Sequence, residues 1–271
     1  MARFSTRGCR DHGAVTGLGP KIWSQLHDHE RRAGCLPKLV DVTSPTADPG
    51  RERSESGGLF VAFEGGEGCG KSTQVPLLAT WLRERGHQVR TTFEPGEGVL
   101  GRAIRSIVLD PANTELSDRA EALLYAADRA QHVASTIGPA LSAGQIVITD
   151  RYVDSSLAYQ SAGRGQPADE IAYLSGWATQ GLVPDLTVLL DVPVDVGLAR
   201  IRGRAAADRL EAEPQAFHER VRQAFLTLAA GDPARYLVVD GRADAKTLAA
   251  RIAERIEAVL GVERVDSAER S

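Results

Sequence analysis

The chain has 271 residues, 42 % hydrophobic and 25 % charged, with a net charge of −4, the composition of an ordinary globular α/β protein. Residues 58–271 alone hold 23 basic against 29 acidic side chains, an acidic body that argues against a general nucleic-acid binder. No apolar run approaches the roughly 18 residues that span a bilayer. Residues 1–20 lack the apolar stretch of a secretory signal. Cys9, Cys35 and Cys69 have neither metal-ligand spacing nor an even count, so a reducing cytoplasm is the expected compartment.

Residues 1–57 mix Gly, Pro, Ser and Arg around weak apolar patches and end in a linker-like run, Ser44 to Gly58. We expect a disordered extension without assigned function. From Leu59 onward strand and helix signals alternate, the pattern of a parallel-sheet α/β domain over residues 58–261. An apolar run at 59–63 leads into Gly65-Gly66-Glu67-Gly68-Cys69-Gly70-Lys71-Ser72-Thr73, which fits the phosphate-binding P-loop in its strand–loop–helix setting. Glycines at 65, 68 and 70 let successive N–H groups turn inward around a phosphate, and the following helix adds its positive end. Lys71 would reach the β- and γ-phosphates and the Ser72 hydroxyl would ligate Mg²⁺.

A helix is expected over about 71–85, stopping at Gly86, then a strand at 88–93 and a short helix at 99–108. Ser117 can cap a long helix over 118–142, which Pro139 should kink or divide. The strand 145–149 delivers Asp150 to the sheet edge where ligands bind, as a Mg²⁺ holder or a helix cap. The strand 186–191 ends in a second candidate acid, Asp191. Helices are expected at 153–161, 168–180, 194–203, 215–229 and 245–260, a last strand at 235–239, and a disordered tail at 262–271. Arg105, Arg129 and Arg151 carry the planar fork that suits phosphate and base edges. The charged stretch at about 202–213 reads as a solvated loop or as a lid bringing arginines to a phosphate, and its place after the fourth strand favours the lid.

Glu64-Gly-Gly-Glu-Gly-Cys-Gly-Lys-Ser-Thr73, Glu94-Pro-Gly96, Leu123-Leu-Tyr-Ala-Ala-Asp-Arg-Ala-Gln131, Asp150-Arg-Tyr152, Ser155-Ser-Leu-Ala-Tyr-Gln160, Pro184-Asp-Leu186 and Asp208-Arg-Leu-Glu211 follow one another in an order that resembles bacterial thymidylate kinases. The resemblance covers about 58–261. It implies a three-layer P-loop fold with a five-stranded parallel sheet and an arginine-bearing lid, Mg²⁺-dependent conversion of ATP and dTMP to ADP and dTDP, and a homodimer. It further implies that Gly65 through Thr73 bind ATP, with Lys71, Arg151 and the lid residue Arg204 catalytic. Glu67 would meet the sugar 3′-hydroxyl, Tyr125 would stack on thymine, and Arg129 would donate to its carbonyl edge. Arg105 and Arg151 would hold the acceptor phosphate, while Ser156, Tyr159 and Gln160 line the pocket. Should Arg204 not be the lid arginine, Arg202 or Arg209 would take the role.

The chain departs from the family at Phe93-Glu-Pro-Gly-Glu-Gly98, where Arg-Glu-Pro-Gly-Gly-Thr is common, and at Cys69, where a small apolar residue is usual. Two other readings stay open on the residues alone. One is a P-loop kinase for a different nucleotide or nucleoside. The other is a GTPase-like switch, against which no Asn-Lys-x-Asp guanine-reading motif occurs.

Overall fold

A computed structural model describes residues 58–202 and 208–268, with side chains through 261. The expected extension 1–57 lies outside the described residues, as do residues 203–207. Five strands form one parallel sheet: β1 (Phe60–Glu64), β2 (Val89–Phe93), β3 (Ile146–Asp150), β4 (Leu186–Asp191) and β5 (Tyr236–Asp240), in the order β2-β3-β1-β4-β5. The helices are α1 (Lys71–Glu84), α2 (Gly98–Val108), α3 (Asp118–His132), α4 (Gly138–Ser142), α5 (Val153–Ser156), α6 (Ala168–Thr179), α7 (Val194–Ile201), α8 (Gln215–Gly231) and α9 (Ala245–Ala268).

β1 is buried along its whole length, because both faces of a parallel sheet are covered by crossover helices. Its period-2 alternation sends Leu59, Val61 and Phe63 into one core layer with α1 and α9, through Leu78, Leu82, Ile252 and Ile256. Phe60 and Ala62 point the other way, against Ile137, Leu141 and Tyr152. A third cluster joins Tyr159, Phe217, Val221 and Phe225 to Ile104 and Tyr125. Helices thus cover both faces of the sheet, the three-layer arrangement that the family resemblance implies.

Several local signals read from the sequence act as expected. Gly86 follows α1 at φ 86°, and the Ser117 side chain accepts the Ala120 N–H at 3.3 Å to cap α3. Others are shifted. The long helix is divided at Val133–Ile137 by a π-helical turn, which places Pro139 in the first turn of α4, where its missing N–H is harmless. A second π-helical stretch, Leu157–Gly163, continues α5. α7 ends at Ile201, before the expected 203. α9 runs on through the stretch read as a tail, because one glycine, Gly261, costs a helix only about 1 kcal/mol.

β1 lies between β3 and β4, with Phe63 opposite Asp150 and Glu64 opposite Leu189. The P-loop and the carboxyl ends of β3 and β4 therefore meet at the point where the strand order reverses, the binding crevice of open α/β sheets.

Candidate active site

The P-loop glycines take the backbone their spacing implies: φ is 135° at Gly65, 64° at Gly68 and 109° at Gly70. At Gly68 a Cβ would sit 2.2 Å from the Gly197 carbonyl oxygen, so only glycine fits between loop and α7. Lys71 is buried and its Nζ donates to the carbonyls of Gly65 at 2.9 Å and Gly66 at 3.3 Å, with the Cys69 Sγ at 3.4 Å. A wide cleft opens in front of the loop, lined by Glu67 through Thr73 together with Phe93, Arg105, Asp150, Arg151 and Arg200. Ser72 and Thr73 are exposed at the first turn of α1.

The two acids at the strand ends differ sharply. Asp191 is engaged on both oxygens by the Arg222 guanidinium, at 2.7 and 2.9 Å. Asp150 lines the P-loop cleft, and its Oδ1 is buried without a hydrogen-bond partner. A buried carboxylate oxygen left unsatisfied fits a cation held beside Ser72; Asp191 is already spent.

A second cavity, about 170 Å³, gathers every residue the family resemblance assigned to an acceptor: Glu67, Arg105, Tyr125, Arg129, Arg151, Ser156, Tyr159 and Gln160. It shares Glu67, Glu94, Arg105, Arg151 and Glu211 with the P-loop cleft, so the two spaces meet at a wall of two arginines and three glutamates. Arg151 adopts φ 73°. Its Nη2 donates to Glu67 Oε1 at 2.8 Å and its Nη1 to the Gly65 carbonyl at 3.3 Å and Ser155 Oγ at 3.2 Å. Tyr159 donates to the same Glu67 oxygen at 2.7 Å. Burial alone would raise the Glu67 pKa, but Arg151, Lys71 and the Tyr159 hydroxyl outweigh it and hold the carboxyl below its ordinary value.

Arg129, only 2 % exposed, is fixed by three bonds: Nε to Glu94 Oε2 at 2.8 Å, Nη1 to Ser156 Oγ at 2.9 Å and Nη2 to the Tyr152 carbonyl at 2.9 Å. Arginine has five N–H donors, so two remain beyond these three bonds, and the side chain lines the second cavity. Tyr125 lines it too, its hydroxyl buried without a partner. Arg105 donates to the Pro95 carbonyl at 2.8 Å and lies 5.8 Å from the Phe93 ring, so the Phe93 departure puts an aromatic surface where the family pattern has a cation.

A thymidylate kinase family profile matches residues 63–252. The thymidylate kinase of Clavibacter sepedonicus is 55 % identical over 206 residues, covering 75 % of this chain and 96 % of that protein. The thymidylate kinase of Cutibacterium acnes is 52 % identical over 204 residues, covering 75 % and 98 %. The chain belongs to the thymidylate kinase family. A crystal structure of thymidylate kinase from Ehrlichia chaffeensis superposes with a TM-score of 0.61 at 29 % identity, over 74 % of this chain and 99 % of that one. The protein is thus an enzyme of the nucleoside monophosphate kinase type.

Within this thymidylate kinase frame, Arg204 falls among residues 203–207, outside the described residues. Its understudy Arg209 is committed elsewhere, with its Nε on the Val108 carbonyl at 3.0 Å and its Nη2 on Glu121. Cys69 is buried against Gly65 and Lys71.

Sequence reading missed three residues that shape the site. Glu94, whose role the family resemblance left unassigned, is buried and bridges Arg129 to His132, whose Nδ1 lies 2.8 Å away. Glu64 accepts the Tyr152 N–H at 2.8 Å and the Ser155 hydroxyl at 2.6 Å, fixing the turn that carries Arg151. Burial and then Asp154 push the Glu64 carboxyl up to about 7. Arg200 donates to the carbonyls of Gly68 at 3.2 Å and Gly241 at 2.9 Å, bracing the P-loop from α7. Glu64 was signalled by its place at the end of a buried strand and at the head of the P-loop motif, with no role attached; Arg200 offered no signal.

Proposed function

We propose that this thymidylate kinase transfers the ATP γ-phosphoryl to dTMP across the wall shared by its two cavities, with the residues in the following roles. Family membership gives the overall reaction, dTMP to dTDP in nucleotide biosynthesis. The adjoining cavities with Arg151 between them are the observation that carries the residue-level reading. The ATP phosphates lie in the loop from Gly65 to Thr73, with Lys71 turning from the loop carbonyls to the β- and γ-oxygens. dTMP lies in the second cavity: thymine on the Tyr125 ring and under Arg129 and Ser156, the sugar against Glu67, Tyr159 and Gln160, and its phosphate between Arg105 and Arg151.

The attacking group is a phosphate oxygen that is already anionic at neutral pH, so the protein needs no strong base. It contributes position, worth up to roughly 7–11 kcal/mol, and fixed positive charge where charge moves in transfer, from Lys71, Arg151 and a lid arginine, Arg204. Asp150 and Ser72 would hold Mg²⁺, which supplies charge neutralisation on the phosphates. Closure of segment 202–213 would exclude water from the transfer.

We further assign the catalytic domain to 58–261 and a cytoplasmic setting, where both nucleotides are available. A homodimer fits the large apolar side chains left exposed on α3 and α6, Leu123, Tyr173 and Trp177, on two helices that pack side by side. A coupled ADP-release assay with ATP and Mg²⁺, offering dTMP, dUMP, dCMP, AMP and GMP in turn, tests the reading. Turnover led by dTMP is expected; a different preferred monophosphate would overturn the acceptor assignments while leaving the P-loop chemistry in place.

A further inference from the structure

Glu121 is a carboxylate with no exposed surface at all, yet the family motifs give it no task. It lies on α3 one turn before Tyr125, so both side chains occupy the same helix face. Its Oε1 accepts from Gln160 Nε2 at 2.9 Å, and its Oε2 faces Arg164 Nη2 at 3.3 Å and Arg209 Nη2. Gln160 belongs to the acceptor cavity wall, and Arg209 belongs to the chain that leaves the lid. One buried carboxylate therefore joins the wall of the pocket to its cover.

The cover is fastened at both ends. At residue 209 the backbone N–H donates to the Leu109 carbonyl at 3.1 Å and the guanidinium reaches Val108 and Glu121. At residue 213 the Glu213 carboxylate pairs with Arg164, which itself bonds Glu121. Between these ties Asp208 accepts the N–H groups of Leu210 and Glu211, both at 2.9 Å, folding a tight turn. That turn places Asp208, Leu210 and Glu211 on the cavity wall.

We propose that Glu121 is a positioning residue of the acceptor site, the buried anchor that straps segment 208–213 over the pocket and orients Gln160 within it. The inference rests on the reading of that cavity as the acceptor site. A carboxylate that serves fold stability alone would leave substrate affinity untouched in any variant that folds. An anchor does more, because removing it loosens both Gln160 and segment 208–213 around the same pocket, and leaving a half-buried guanidinium without its counter-charge is unfavourable.

The test is steady-state kinetics with amide hydrogen exchange on Glu121→Gln, Arg209→Ala and the double variant of the full chain. We expect Glu121→Gln to raise KM for dTMP at least about tenfold, with KM for ATP within about twofold and faster exchange at 208–213. Arg209→Ala should reproduce that pattern, and the double variant should be no worse than the worse single one. If Glu121→Gln does not fold, Arg209→Ala decides alone. Unchanged KM for dTMP with unchanged exchange in Arg209→Ala, or strictly additive effects in the double variant, would overturn the anchor. A wild-type enzyme that fails to turn over dTMP would instead overturn the acceptor reading, and the exchange measurement would still decide whether Glu121 holds the segment down.

Discussion

Arg151 stands at φ 73°, a left-handed backbone that side-chain-bearing residues adopt at a cost of about 1–3 kcal/mol. The turn is held by Glu64 through the N–H groups at Tyr152 and Ser155, so the strain buys direction: the guanidinium faces Glu67, the Gly65 carbonyl and both cavities at once. Lysine would keep the charge and lose the planar fork. Arg151→Lys is therefore expected to lower kcat/KM for dTMP by at least about 100-fold; a loss under tenfold in steady-state assays would mean that a point charge suffices. Asp128 makes a separate prediction. Its Oδ1 accepts the Gly96 N–H at 3.1 Å, and burial first, then Glu94, push its pKa from 3.8 up to about 6. The folded state thus holds the proton more tightly than the unfolded one. That contribution is fully present below the unfolded value and is lost as pH rises through about 6. Asp128→Asn keeps the acceptor oxygen without the charge, so its Tm relative to wild type should rise between about pH 4 and about pH 7.5. Melts showing a pH-independent difference would remove the Asp128 charge from the energetics of that loop.

At the scale of elements, β3 and β4 end on the same edge with one acid each, and their neighbours give the acids different work. Arg222 reaches back from α8 to take both oxygens of Asp191, while one Asp150 oxygen stays buried without a hydrogen-bond partner. Asp150→Asn should raise the Mg²⁺ concentration for half-maximal activity at least about tenfold, and Asp191→Asn should leave it within about twofold while lowering Tm. A Mg²⁺ titration of both variants checks this, and equal shifts would return Asp191 to the metal site. This contrast also shows where sequence reading stops. The P-loop, the strands and the caps at Ser117 and Gly86 were legible because their signals are local: glycine spacing, apolar alternation, a capping hydroxyl. The pairings Asp191–Arg222, Glu94–Arg129 and Glu121–Arg209 join residues far apart in the chain, so only the folded topology selects them. The π-helical turns after α3 and α5 left no mark either, since the apolar spacing of one extra residue per turn is indistinguishable from a slightly irregular α-helix.

At the scale of the whole molecule, all the described residues of both cavities lie between Glu67 and Glu211, while the exposed apolar side chains of α3 and α6 lie apart from the cavity walls. Trp177, 73 % exposed, is the largest of these. Trp177→Glu should shift the sedimentation coefficient from dimer to monomer at micromolar protein, with folding intact because the side chain contributes little to the monomer core. A wild-type protein that sediments as a monomer would discard the dimer. The position of β1 has a practical corollary. The chain enters the sheet at the amino end of its central strand, and five residues at about 3.3 Å each separate that entry from the P-loop. A tether attached just before β1 would leave from the sheet edge opposite the cleft. The enzyme fixed to a bead or electrode through that point would keep its mouth turned to the solution, whereas a linker placed in the turn after β3 would press the reacting groups against the support.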